Sequence, residues 1–396
     1  MKNLDQINFK DKKALVRVDF NVPVNENFEV TDDTRIKAAK PSIQKIIKDG
    51  GMAILMSHRG RPKGKEAKYS LKYLIPAIEK NLGQKVKFVE DAIGPKVEKA
   101  VQDLKPGEIL LLENLRFYPE ETKGDEKFAE ALAKNGDFYI NDAFGTAHRA
   151  HASTAIVAKY FDKDHKALGK LMEQEVKSIQ KALDYGEKPV TAIIGGAKVS
   201  SKIGVIENLL NKVDNLIIVG GMAYTFLKAL GNNIGDSIVE DDKIDVAKRI
   251  MEEAKKKGVN LILPIDFVIA DSFSNEANTK VVDAKNIPAG WQGLDIGPKT
   301  IKQISDLIKK SKTIIWNGPA GVFEFDKFAT GTENIGLAIG EATQNGAYSL
   351  VGGGDSVAAV QKLGLEDKIS YISTGGGVLL DMLAGKELPG IKALQL

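Results

Sequence analysis

The residues best placed for chemistry are Gly195-Gly196-Ala197-Lys198 and, four positions on, Lys202. A short apolar run, 190–194, leads into the paired glycines, and a helical pattern starts after Lys198. A buried strand that ends in glycines before a helix N-terminus lets backbone N–H groups come close to an anion. The spacing of four predicts that Lys198 and Lys202 share one face of that helix, where two ammonium groups would add to the binding. The stretch is not a Walker loop, since no GxxxxGKS/T occurs, and no GxGxxG occurs either. A tight strand-to-helix turn with two solvated lysines would read the same way.

The ends of the other apolar runs divide the chain in two. Runs 14–18, 53–56, 109–112 and 138–140 are followed by Asp19-Phe20-Asn21, by Ser57-His58-Arg59-Gly60-Arg61, by Glu113-Asn114-Leu115-Arg116, and by the stretch from Asn141 to Arg149. Beyond residue 189 the sequels are rich in glycine: Gly220-Gly221, Asn317-Gly318, Gly352-Gly353-Gly354-Asp355-Ser356 and Thr374-Gly375-Gly376-Gly377. Doubly wound sheets bind ligands beyond the carboxyl ends of their strands, so these sequels are the candidate sites. Only seven of the 56 Lys and Arg residues are arginine; six of the seven lie at or before Arg149, and four directly follow predicted strands. Arginine offers a planar, permanent fork for carboxylate and phosphate, which lysine does not. Arg249, far from these loops, reads as an ordinary surface residue. His58, His148 and His151 share the arginine loops. No third ligand stands at metal spacing from His148 and His151, so anion contact or positioning reads better than a metal site. Asp355 reads either as a helix N-cap or as a Mg²⁺ ligand beside a nucleotide phosphate.

The elements that must position these residues follow from the pattern of the whole chain. Further apolar runs at 86–89, 216–219, 261–263, 313–316, 348–351 and 369–372 alternate with helical stretches such as 125–133, 243–257 and 300–310. Alternation of this kind predicts α/β architecture with parallel sheets covered on both faces. At 396 residues two domains are expected. Met172, Val176, Ile179 and Leu183 make one apolar stripe, so a formed helix joins the halves. The expected fold is two doubly wound, Rossmann-like domains joined by a helix and hinge. A net charge of +3 on a chain that is 28% charged gives no field suited to nucleic acid or an acidic membrane. There are no cysteines, no signal-like start and no apolar stretch of membrane-spanning length, and a cytoplasmic protein is expected. An arginine-rich anion site and a glycine-rich phosphate site on separate domains fit phosphoryl transfer, which needs alignment and charge neutralisation more than a covalent nucleophile. Such sites would need a hinge to unite them and exclude water.

On these residues the chain resembles the phosphoglycerate kinase family from end to end. The blocks ALVRVDFNVP (14–23), SHRGRP (57–62), ENLRF (113–117), NDAFGTAHRAHAS (141–153), GGAKVSSK (195–202), VGGMAYTF (219–226), WNGPAGVFE (316–324), GGGDS (352–356) and STGGG (373–377) stand in the family's order. The resemblance implies reversible transfer of the acyl phosphate of 1,3-bisphosphoglycerate to ADP, giving 3-phosphoglycerate and ATP by hinge closure and in-line transfer without a covalent intermediate. It implies that Asp19, Asn21, Arg35, His58, Arg61, Arg116 and Arg149 bind phosphoglycerate. It assigns Lys202, Gly220, Gly221, Gly293, Asn317, Glu324, Gly353, Gly354, Asp355 and Ser356 to ATP or ADP, with Glu324 on the ribose and Asp355 holding Mg²⁺. Arg35, Lys198, Lys202, Gly354, Gly375 and Gly376 would embrace the moving phosphoryl group. The implied domains are 1–169 with a returning tail at 378–396 for phosphoglycerate, 170–188 as connecting helix and hinge, and 189–377 for nucleotide. The partners expected are small molecules only, with no nucleic acid and no membrane, and the chain is expected to be a monomer.

Two positions depart from the family's pattern. Arg59 replaces an apolar residue and would either add charge near the substrate loop or point outward; Ser201 stands where an acidic residue is common. Three other classes share parts of the reading. A two-lobed solute-binding protein would hinge around an anion, but such proteins are usually exported. A nicotinamide dehydrogenase would share the sheet but lacks its fingerprint here. A non-catalytic scaffold would not require the whole constellation.

Overall fold

The computed structural model describes residues 1–396. They form two compact units, 1–176 with 387–396 and 177–386, and the boundary falls inside the helix Lys170–Leu183.

The first unit is built on six parallel strands in the spatial order Lys87–Phe88, Ile109–Leu111, Met52–Met56, Lys13–Arg17, Phe138–Asn141 and Lys166–Leu168. The chain winds outward in both directions from Lys13–Arg17, so the order reverses between that strand and Phe138–Asn141. Every residue of Met52–Met56, Ile109–Leu111 and Phe138–Asn141 is buried, as a sheet covered on both faces requires. On one face the helix Thr34–Lys48 turns Ile36, Ala39, Ile43 and Ile46 inward, into the core that holds Val16, Leu55 and Ile109. The C-terminal helix Pro389–Gln395 closes the unit, with Gly390 N donating to Ala147 O at 2.9 Å.

The second unit repeats the plan in the order Asn260–Ile262, Asn215–Ile218, Val190–Ile194, Thr313–Asn317, Tyr348–Gly352 and Tyr371–Ile372, again all parallel. Here the order reverses between Val190–Ile194 and Thr313–Asn317, both wholly buried. Their continuation into Gly195 and Gly318 therefore lies at the switch point, where a doubly wound sheet opens a crevice. A second, antiparallel sheet of Thr279–Asp283, Asp266–Ala270 and Gln292–Ile296 flanks this unit. The helix Gly377–Leu383 packs on Ile203–Leu209, and Asn208 Nδ2 donates to Leu383 O at 2.8 Å. No helix is long and apolar enough to cross a membrane.

The connecting helix Lys170–Leu183 is capped from a distance. Asp142, one residue past Phe138–Asn141, accepts from Leu171 N at 3.0 Å and Met172 N at 3.3 Å through Oδ1, and Ser42 Oγ accepts from Lys170 N at 2.8 Å. First-turn N–H groups have no partner within their own helix, so these two side chains complete it. Burial raises the Asp142 carboxyl to about 7, against the pull of the Ser42 hydroxyl and then of the two N–H groups. The folded pKa thus lies above the unfolded one near about 3.9, so the group's contribution to stability is complete below about pH 4 and is lost as pH rises through about 7. Asp142→Asn keeps the acceptor and does not titrate. Its melting temperature relative to wild type is expected to climb from pH 5 to pH 8. Asp142→Ala, which does not titrate either but gives up the acceptor, should follow the same trend from a stability about 1–3 kcal/mol below that of Asp142→Asn at both pH values. A pH-independent offset for Asp142→Asn in thermal melts would rule out titration of this carboxyl.

Candidate active site

In the first unit four strand ends supply the side chains. Lys13–Arg17 leads to Asp19 and Asn21, Met52–Met56 to His58 and Arg61, Ile109–Leu111 to Arg116, and Phe138–Asn141 to His148, Arg149 and His151. Arg35 comes from the first turn of Thr34–Lys48; one Nη donates to Asn21 O at 2.8 Å and to Asp19 Oδ1 at 3.3 Å. Asn21 Oδ1 accepts from Gly60 N at 2.9 Å, which ties the first two loops together. The arginines that pair with carboxylates are Arg17 with Glu121, Arg35 with Asp19, and Arg249 with Glu207. Arg61, Arg116 and Arg149 make no such pair.

The electrostatics agree. Burial, then Arg17, lowers the Arg116 guanidinium pKa, and Arg61 and Arg149 add to the effect. Burial, then Arg116 and Arg17, drives His151 to about 4. Burial, then Arg17 and Arg116, holds His58 well below the ordinary imidazole range, so both rings are neutral at pH 7. Arg17 Nη2 lies 3.1 Å from His58 Nδ1. A guanidinium only donates, so His58 Nδ1 accepts and the ring's proton sits on Nε2. The result is a concentrated positive field that an anion of several charges would neutralise.

In the second unit the site is a floor of backbone. A Cβ at Gly195 would stand 2.2 Å from Pro319 O, and one at Gly318, where φ is +103°, would stand 2.3 Å from Gly195 O. Only glycine lets these two strand ends meet. Trp316, wholly buried, donates Nε1 to Gly318 O at 2.8 Å, and Ser356 Oγ accepts from Gly318 N at 2.7 Å. Gly220 and Gly221 lead into the helix Met222–Ala229, whose Met222 N donates to Gly196 O at 3.0 Å. Lys202 Nζ donates to Gly195 O at 2.9 Å and to Asn317 Oδ1, and Asn317 Nδ2 donates to Gly352 O at 3.0 Å. Burial brings the Lys202 ammonium to about 8.

Beside this floor the helix Gly354–Lys362 begins, with Gly353 as its N-cap and open space around Gly354. First-turn N–H groups facing open space are an anion site. Asp355 is exposed in that first turn. No cluster of three His, Cys, Asp or Glu exists, so a Mg²⁺ here would take one carboxylate and complete its shell with water and phosphate oxygens. That is the usual manner of Mg²⁺ at nucleotides, and Asp355 fits it. Gly376, also in open space, precedes the helix Gly377–Leu383. Gly293 lies in Gln292–Ile296 with its N–H on Ser237 Oγ at 2.9 Å, and Glu324 is exposed on the loop after Thr313–Asn317.

Several expectations are corrected. Lys198 and Lys202 do not share a helix face: Lys198 is extended, Val199–Ser201 is a 3₁₀ turn, and the helix Ile203–Leu209 starts only after Lys202. Serine chemistry explains it, because Ser201 Oγ donates to Lys198 O at 2.8 Å and competes with the helix for that carbonyl. Asp355 is not an N-cap, since Gly353 takes that place. The Ser356 hydroxyl accepts from Gly318 N and keeps its own O–H to give, and the Gly375 N–H is donated to Ser373 Oγ at 3.2 Å. Arg59 points inward, over the Tyr69 ring at 5.6 Å, rather than into solvent. Sequence reading passed over Arg17, which is fully buried and donates to Ser153 Oγ at 2.8 Å and Val18 O at 2.6 Å beneath His58. A charge inside an apolar strand was the available signal.

Comparison with known proteins gives one answer. Residues 4–386 match the family model described as phosphoglycerate kinase. The phosphoglycerate kinase of Porphyromonas gingivalis is 55% identical over 99% of each chain. The cytosolic phosphoglycerate kinase of Nicotiana tabacum is 55% identical over 99% of this chain and 97% of its own. Among solved structures, phosphoglycerate kinase from Coxiella burnetii superposes with a TM-score of 0.91 at 40% identity, covering 98% of this chain and 97% of its own.

Proposed function

The chain belongs to the phosphoglycerate kinase family and catalyses the reversible transfer of a phosphoryl group between 1,3-bisphosphoglycerate and ADP in glycolysis; from that premise we propose how its residues divide the work. Asp19, Asn21, Arg35, His58, Arg61, Arg116 and Arg149 bind phosphoglycerate. Lys202, Gly220, Gly221, Gly293, Asn317, Glu324 and the N–H groups of 353–356 bind the nucleotide. The observation that carries this reading is the contrast between Arg61, Arg116 and Arg149, which lack a carboxylate partner, in one unit and a glycine floor with a half-buried lysine in the other.

No general base is needed. The acceptor in the ATP-consuming direction is a carboxylate, already ionised at neutral pH, and in the other direction it is a phosphate oxygen. The neutral His58 and His151 fit a binding role rather than proton transfer. What the reaction demands is that crowded anions be held in line, and arginine forks, Lys202 and oriented N–H groups do that. Bound by Asp355 and phosphate oxygens, Mg²⁺ would add further charge neutralisation. Direct transfer between ligands held on different units requires closure during turnover, with exclusion of water. Arg35, Lys198, Lys202 and the N–H groups of Gly354 and Gly376 then serve the moving phosphoryl group. A cytoplasmic location is supported by relatives named cytosolic. A monomer is the simplest form, because one chain carries both residue sets.

ADP formation from 3-phosphoglycerate and Mg·ATP, followed in a Mg²⁺ titration, tests the metal assignment. Asp355→Asn is expected to shift the Mg²⁺ dependence to higher concentration and to lower turnover, since the amide keeps the shape and loses the charge. Wild-type behaviour across that titration would return Asp355 to a plain helix residue.

A further inference from the structure

Arg61 sits on a loop between Met52–Met56 and the 3₁₀ turn Leu71–Leu74, and both stems of that loop meet at one side chain. Asn114 Oδ1 accepts from Arg59 N at 3.1 Å and from Arg116 N at 3.0 Å. Its Nδ2 donates to Arg59 O at 2.8 Å and to Tyr69 O at 2.9 Å. An amide has two donors and two acceptor lone pairs, so every valence is used, and the residue is fully buried. The preceding residue finishes the clamp: Glu113 Oε1 accepts from Leu71 N at 2.9 Å and Asn114 N at 2.8 Å, and Oε2 from Ser70 Oγ at 2.7 Å. Within the loop, Arg59 donates Nη2 to Lys68 O and covers the Tyr69 ring.

We infer that Asn114 is a positioning residue for phosphoglycerate, closing the neck of loop 59–71 and fixing Arg61 and Arg116 relative to each other, with Arg59 as a second latch on the Arg61 side. The inference rests on the reading of Arg61 and Arg116 as phosphoglycerate ligands. Asn114 has no valence left for a ligand, and the Arg59 side chain is turned to Lys68 and Tyr69. What they supply is preorganisation: two arginine-bearing loops hang on one planar amide, so neither has to be ordered when the anion arrives. Aspartate cannot replace it. It would keep the two accepted bonds but set an oxygen against the carbonyls of Arg59 and Tyr69 and bury a charge.

The test uses variants of the full chain, read by calorimetry with 3-phosphoglycerate and with Mg·ADP and by steady-state kinetics. Arg61→Ala and Arg116→Ala are measured first; if neither weakens 3-phosphoglycerate binding, the ligand assignment itself has failed. With the assignment standing, Asn114→Asp is expected to raise the Kd for 3-phosphoglycerate about tenfold or more, leave that for Mg·ADP within about twofold, and raise KM more than it lowers kcat. Arg59→Leu leaves the Asn114 contacts in place and should raise the same Kd about threefold, with faster tryptic cleavage at Lys63, Lys65 or Lys68. In an Arg61→Ala background the Arg59→Leu effect on affinity should vanish, because the side chain it positions is gone. Unchanged 3-phosphoglycerate affinity in Asn114→Asp, equal losses for both ligands, or a fully multiplicative Arg59→Leu and Arg61→Ala loss overturns the inference. Should Asn114→Asp fail to fold, the Arg59→Leu arm decides.

Discussion

Replacing Lys202 by alanine is expected to lower kcat by about a hundredfold or more while moving KM for either substrate much less. The half-buried ammonium rests on carbonyl oxygens, with Gly195 O at 2.9 Å, and burial already brings it to about 8. A cation seated on these carbonyls interacts strongly with charge that spreads over the transferring phosphoryl group, and weakly with a ground state that has other partners. Lys202→Arg keeps the charge but replaces a compact ammonium by a wide fork, so only part of the rate should return. Arg35→Ala is expected to act on kcat in the same way from the other residue set. If both serve one phosphoryl group, the double variant should be less than multiplicatively impaired. A defect confined to KM in either single variant would remove that residue from the transfer step.

Gly318→Ala should be the most damaging single methyl group in the nucleotide site. It would force alanine to a φ of +103° and set its Cβ 2.3 Å from Gly195 O, against backbone atoms with nothing flexible to yield. Strain of this kind costs about 1–3 kcal/mol, and relieving it must part the strand ends that carry Gly195 and Asn317. Lys202, which rests on both, would lose its seat. Nucleotide affinity is expected to fall about tenfold or more, with a lower melting temperature and unchanged 3-phosphoglycerate binding. Calorimetry on the folded variant checks this, and wild-type nucleotide affinity would show that the floor does not position the site.

Much of this was legible because buried parallel strands announce themselves as unbroken apolar runs and end in the residues that matter. Gly195 and Gly318 were visible for the same reason, since each follows a wholly buried strand, and Gly353 follows a strand buried at all but its first residue. The antiparallel sheet was not, because Thr279–Asp283 is largely exposed and Gln292–Ile296 contains glycine and aspartate, both poor strand formers. Lys166–Leu168 escaped as an edge strand of only three residues. The helix face assigned to Lys198 and Lys202 failed because spacing alone cannot see a serine hydroxyl that captures a carbonyl. Arg17 and Asn114 show the deeper limit. Ser153 and Glu121, which hold Arg17, and Arg59 and Tyr69, which Asn114 holds, lie between 45 and 136 residues away in the chain, and only the sheet brings them together.

On the proposed reading, phosphoglycerate and nucleotide are held by separate residue sets on separate units. Calorimetric titration of Arg149→Ala and Gly318→Ala, each with 3-phosphoglycerate and with Mg·ADP, tests it most directly. The account predicts a crossed result: Arg149→Ala loses phosphoglycerate affinity by about 2–4 kcal/mol and keeps Mg·ADP, while Gly318→Ala does the reverse. Comparable losses for both ligands in either folded variant would contradict it.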